Sequence, residues 1–129
     1  MFDGRTRAIS GKLMVTINRA AIVVRAKQPF LDWLHRADET SGGITLADLN
    51  ADPAVYLLPE GDDEKKANVL LRRLFTHIFE EQLNSWYTDR RTWPRDRSFD
   101  TFCGWFDWQY HSMLVDLAQE PLFQEFEKR

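Results

Sequence analysis

The stretch Ser98-Phe99-Asp100-Thr101-Phe102-Cys103-Gly104-Trp105-Phe106-Asp107-Trp108-Gln109-Tyr110-His111-Ser112-Met113-Leu114-Val115-Asp116-Leu117-Ala118-Gln119 decides the architecture. Ser98 reads as an N-cap and Asp100 falls in the first turn, so the pattern predicts a long helix from Ser98 to about Gln119. At about 100° per residue, Phe99, Phe102, Phe106, Tyr110, Met113 and Leu117 cluster within about 80° and form a core face. Roughly opposite runs a polar stripe of Asp100, Gly104, Asp107 and His111. Trp105 and Trp108 lie on a flank between the two. Such a helix is either sandwiched between other elements or presents an aromatic patch.

Working back along the chain, the connection from Thr88 to Arg97 is polar and holds Pro94. Before it, a helix is expected from about Asp63 to Tyr87, with Ala67, Leu70, Leu71, Leu74, Phe75, Ile78, Phe79 and Trp86 on one stripe. Ala54-Val55-Tyr56-Leu57-Leu58 reads as a buried strand ended by Pro59-Glu60-Gly61. Thr45-Leu46-Ala47-Asp48 has the form of a capping box. Pro29 opens a short helix containing Phe30, Leu31, Trp33 and Leu34. Ala20-Ala21-Ile22-Val23-Val24 is the clearest strand, and Leu13–Ile17 offers a third. The implied fold is α+β and mostly helical: two long antiparallel helices plus short helices on a small two- or three-stranded sheet. The helical connection between the two main strands suits a parallel pair.

Residues 1–13 show no periodicity and read as a loose leader, disordered or left over from expression, with one globular domain over 14–129. Mass scaling for a chain of 15.2 kDa buries about two-thirds of the unfolded surface, enough for a single core. Five Trp, three Tyr and nine Phe make the composition 13% aromatic, and aromatics dominate cores and interfaces alike.

The net charge of −3 conceals an asymmetry. Residues 1–37 carry seven basic and two acidic groups, whereas residues 38–64 carry eight acidic groups and no Lys or Arg. So mild an overall balance gives no long-range pull toward nucleic acid, which is not expected as a partner. A single cysteine, Cys103, excludes an intramolecular disulfide and fits a reducing compartment. Asn18 and Arg19 interrupt the apolar run from Leu13 to Val24, which argues against a signal peptide or a membrane span. The chain is expected to be cytoplasmic, with no membrane contact, metal or cofactor.

Two groups of residues carry candidate chemistry. Asp107 and His111, one helical turn apart, could pair a carboxylate with a general-base imidazole, with Asp100 in support; this is the alternative, small hydrolase-like or metal-dependent enzyme. A solvated i, i+4 pair has the same spacing. His77-Ile78-Phe79-Glu80 has half of a di-iron spacing, but His77 and Glu80 oppose the apolar stripe and no second copy exists. The second group is Arg90, Arg91, Trp93 and Arg95 in the connection, with Trp105 and Trp108; Arg and Trp are common binding hot spots. The competing structure is a loop whose Trp plugs the core while its arginines meet the acidic block.

Asn18 to Val24, Gln28 to Trp33, Val55 to Glu60, Phe79 to Leu83, Trp86, Trp93-Pro94 and Phe102 to Leu117 together resemble a small uncharacterised bacterial protein family with no established activity. The resemblance covers nearly everything after Met14 and implies a bacterial, cytosolic, single-domain protein, with no catalytic residue to carry over. The expected function is a non-enzymatic binding or regulatory module, tryptophan-rich, whose surface is Trp93, Trp105 and Trp108 edged by Arg90, Arg91 and Arg95. Its partner would be another protein or a second copy.

Overall fold

Ala20, Ile22 and Val24 alternate with Ala21 and Val23, so an extended chain sends the first set to one face and the second to the other. In the computed structural model, which describes residues 6–9, 12–61 and 63–125, this run lies in β3 (Arg19–Ala26), the central strand of a three-stranded sheet. β3 is flanked by β4 (Val55–Pro59) and by β5 (Phe106–His111), both antiparallel. A second sheet has the order β1 (Thr6–Ile9), β2 (Lys12–Thr16), β6 (Val115–Asp116). The Ile17 amide donates to the Leu114 carbonyl at 2.9 Å, so the β3–β5 and β2–β6 pairings follow one another along a single ribbon. Of the expected leader, residues 6–9 and 12–13 belong to these strands; the remainder of 1–13 lies outside the described residues.

Four helices cover the inner face of the β3 sheet. α1 (Gln28–Ala37) starts with Pro29 as expected and buries Phe30, Leu31, Trp33 and Leu34. α2 (Leu46–Leu49) has the complete capping box: Asp48 N–H donates to Thr45 Oγ1 and Thr45 N–H to the Asp48 carboxylate. α3 (Glu64–Trp86) is capped by Asp63, whose carboxylate accepts the Lys66 amide at 2.8 Å. α4 (Phe99–Trp105) is capped by Ser98. Phe30, Leu34, Leu71, Phe79, Leu83 and Phe102 close over Ile22, Leu58 and Phe106 in one core.

The fold is α+β, with small sheets as the sequence implied, but its second long helix does not exist. The helix that starts at Ser98 ends at Trp105, and Phe106–His111 continues as β5 in register with β3. Phe106, Trp108 and Tyr110 face the helices, while Asp107, Gln109 and His111 are exposed. Phe106 and Tyr110 share a face at a spacing of four in a strand as well as in a helix, so the apolar pattern fits both. Pairing with β3 selects the strand, which the aromatic residues favour. Met113 and Leu117, placed on the core face of the expected helix, are exposed.

Two further expectations change. The main strands are antiparallel, because α1 and α2 return the chain to the end of the sheet it left: Val23 faces Val55. Asn50 fixes that return, its Oδ1 accepting the Ala26 amide at 2.8 Å and its Nδ2 donating to the Ala26 carbonyl at 2.9 Å. The third strand of the main sheet is β5, while the Leu13–Ile17 region contributes β2 to the other sheet.

Candidate functional site

The connection after α3 is built around Asp89. Its carboxylate accepts the Arg91 amide and binds the Arg91 guanidinium at 3.0 Å through both oxygens, starting the 3-10 turn Arg90–Thr92. Those Arg91 bonds hold the Asp89 carboxyl below its ordinary range. Thr92 then accepts the Trp33 indole N–H on its carbonyl at 2.8 Å, locking the turn onto α1.

Trp93 follows at 6% exposure, with its indole N–H on the Tyr87 carbonyl at 3.0 Å. Arg90 lies over its ring at 5.0 Å and Arg97 at 5.9 Å. Trp93 is therefore a core plug under two guanidinium groups, and the exposed aromatic surface expected there is absent. The arginines also pair locally: Arg91 with Asp89, and Arg97 with Glu80 at 3.9 Å, neither of them in the 38–64 block. Arg95 is exposed.

Trp105 and Trp108 belong to the aromatic core. Trp105 packs 5.5 Å from Phe79 and 6.2 Å from Phe30, and Trp108 stacks 5.7 Å from Phe102. Both are half-buried, and among the described residues no ring contact joins either to Trp93. The three tryptophans do not form one surface.

The enzyme constellation is also taken apart. Asp100 sits in the first turn of α4, while Asp107 and His111 lie on β5 and are exposed. Four residues along a strand span about 13 Å, against about 6 Å for one helical turn, so this carboxylate and imidazole are not hydrogen-bond partners within the strand. Cys103 is half-buried, and burial, followed by the Asp100 charge, pushes its thiol upward, away from a nucleophilic thiolate. Among the described residues, no group of three or more His, Cys, Asp or Glu could hold a metal ion. None of the helices described is long and apolar enough to cross a membrane.

Two surfaces remain. One is a polar groove of about 570 Å³ between α3 and the connection, lined by Tyr56, His77, Glu80, Glu81, Asn84, Arg90 and Trp93 among others. Within it the Tyr56 hydroxyl donates to the Glu81 carboxylate and accepts from the Gln82 amide at 2.8 Å. Burial and the Glu81 contact push the Tyr56 phenol well above its ordinary range. The other surface is the outer side of β4, on the face of the main sheet away from the helices, where Ala21 of the central strand is itself buried. Val55 and Leu57 stand there 58% and 50% exposed. Leu57 shares a cleft of about 480 Å³ with Arg19 and with Leu122 and Phe123, themselves 67% and 73% exposed. The run Ala54 to Leu58 reads as a buried strand; β4 (Val55–Pro59) instead occupies an edge and alternates exposed with covered residues. No family model, curated protein or solved structure matches this chain.

Proposed function

We propose that the chain is a non-enzymatic binding module that receives an apolar segment of a partner protein on the open side of the β4–β3–β5 sheet. The observation that carries this reading is the convergence of Leu57, Leu122 and Phe123, each at least half exposed, on one cleft. Exposed apolar side chains gathered in a concavity mark an interaction surface. The cytoplasm suits a chain whose single cysteine is a free thiol.

The test is selection of a displayed peptide library on the wild-type protein, followed by binding to the Val55→Glu/Leu57→Glu double variant. Both side chains are exposed, so the variant keeps its fold. Selected peptides should bind the variant at least about tenfold more weakly, since charge is placed against apolar contacts. Failure to enrich any peptide, or equal binding to the variant, overturns the reading.

A second reading keeps Arg90 and Trp93, supported by the stack of Arg90 on Trp93 at the edge of the polar groove. It predicts that selected peptides lose affinity on Arg90→Ala and keep it on the double variant.

A further inference from the structure

β4 is an edge strand whose free side is uncharged and ends at Pro59. The Val24 amide donates to the Ala54 carbonyl at 3.2 Å, which sets the phase of the antiparallel ladder. Hydrogen-bonded pairs alternate from there, through Ile22 with Tyr56 and Ala20 with Leu58. The N–H and C=O groups of Val55 and Leu57 consequently point away from β3, along the open edge. Natural sheets blunt such edges with charges, bulges or proline; here only Pro59 does so. An unpaired edge is a template for an added strand, in which backbone bonds supply affinity and alternate side chains supply specificity.

Charge distinguishes the occupants. At the Val55 end, Asp52 and Glu81 line one cleft of about 260 Å³ with Asn50, Gln82 and Ser85, and no Lys or Arg is among its lining residues. The Glu81 carboxylate is positioned there by the Tyr56 hydroxyl and by Ser85 Oγ at 3.1 Å. At the other end Glu60 and Asp63 share their surroundings with Lys65 and Lys66, so the two ends differ in sign balance. A second copy that paired its own β4 here, Val55 opposite Leu57, would set Asp52 against Glu60 with Lys65 and Lys66 close by, so its charges cancel rather than attract. A strand carrying a base beside Val55 would meet opposite charges instead.

We propose that the β4 edge takes an extended segment of a partner protein, with apolar side chains on Val55 and Leu57 and a Lys or Arg reaching the Asp52–Glu81 cleft. This rests on the binding-module reading and specifies its partner. Val55 and Leu57 offer the added strand both N–H and C=O, whereas Pro59 offers only its carbonyl and so weakens the ladder at that end.

The experiment uses the full chain and three synthetic peptides of alternating valine and threonine, carrying lysine, glutamate or neither at one end on the threonine face. Amide hydrogen exchange of the protein and the dissociation constant of each peptide are measured. The lysine peptide should slow exchange at Val55 and Leu57 at least about tenfold and bind about tenfold more tightly than the glutamate peptide. Asp52→Asn, a change at an exposed side chain, should weaken the lysine peptide several-fold and leave the neutral peptide unchanged. Equal affinity of the lysine and glutamate peptides, or protection that misses Val55 and Leu57, overturns strand addition. If library-selected peptides meanwhile bind and lose affinity on the Val55→Glu/Leu57→Glu variant, the binding-module reading stands without it. Concentration-dependent dimerisation that protects the same amides without peptide also overturns the proposal, by assigning the edge to a second copy.

Discussion

β4 and β5 flank the same central strand, pair with it in the same antiparallel sense, and treat solvent in opposite ways. On the helix side they are alike: Leu58 and Phe106 are buried to within 2% in the common core. On the open side β4 shows Val55 and Leu57, whereas β5 shows Asp107, Gln109 and His111. Cross-strand register sharpens the contrast, since Ala21 lies between Leu57 and His111, and Val23 between Val55 and Gln109. A requirement for folding would impose apolar outer residues on both edges, and only one has them. The proposed use of the β4 side rests on this difference, while the polar side chains of β5 protect its edge in the usual way.

The largest expected effects test the shared inner side. Phe106→Ala should cost about 3–5 kcal/mol and Leu58→Ala about 2–5 kcal/mol, because each leaves a cavity in a closed core. Chemical denaturation of both variants checks this; a cost below about 1 kcal/mol for either would remove that strand from the common core. Asn50→Ala comes next. It strips the Ala26 amide and carbonyl of their side-chain partner and should cost about 1–3 kcal/mol. Thermal melts that leave its stability unchanged would show that α2 reaches β4 without this clasp.

Smaller effects belong to the outer side. Leu57→Lys should change stability by less than about 0.5 kcal/mol, and Gln109→Val should do likewise while making β5 resemble β4. If the contrast between the edges is functional, light scattering will show more self-association for Gln109→Val and no more for Leu57→Lys. The reverse order would break the comparison. The smallest effect is set by pH. The Tyr56 phenol is raised in the folded chain, so its contribution is fully present below the ordinary phenol range, near 10, and is lost as pH rises beyond it. Alkaline titration by phenolate absorbance should lose a late-ionising component in Tyr56→Phe relative to the wild type.

How the sequence was legible differs element by element. Ser98, Asp63 and Thr45 with Asp48 stand at helix starts because a cap is satisfied by residues three positions away. Pro29 does so because its ring fixes φ and it has no N–H to leave unbonded; neither needs anything distant. The end of α4 was not legible. Phe106 to His111 carries apolar residues at positions compatible with either period, and only the free edge of β3 makes the strand preferable. That single substitution of strand for helix dissolved the Asp107–His111 pair. Trp93 was open for a related reason: an Arg-flanked Trp in a polar loop fits a hot spot or a core plug alike, and the plug is chosen by its indole bond to Tyr87, which depends on the path of the whole connection.

Local chemistry in the chain sufficed to place the α+β class, the four helix starts, β3 and the contrast between a basic first segment and an acidic second. Those features depend on backbone preferences and on charges close together in sequence, which act over a few residues. Long-range pairing alone chose antiparallel over parallel strands, turned the last aromatic run into an edge strand, buried Trp93 and left Val55 and Leu57 uncovered. Burial and hydrogen-bond satisfaction are properties of surfaces brought together from distant parts of the chain, so no window of sequence contains them.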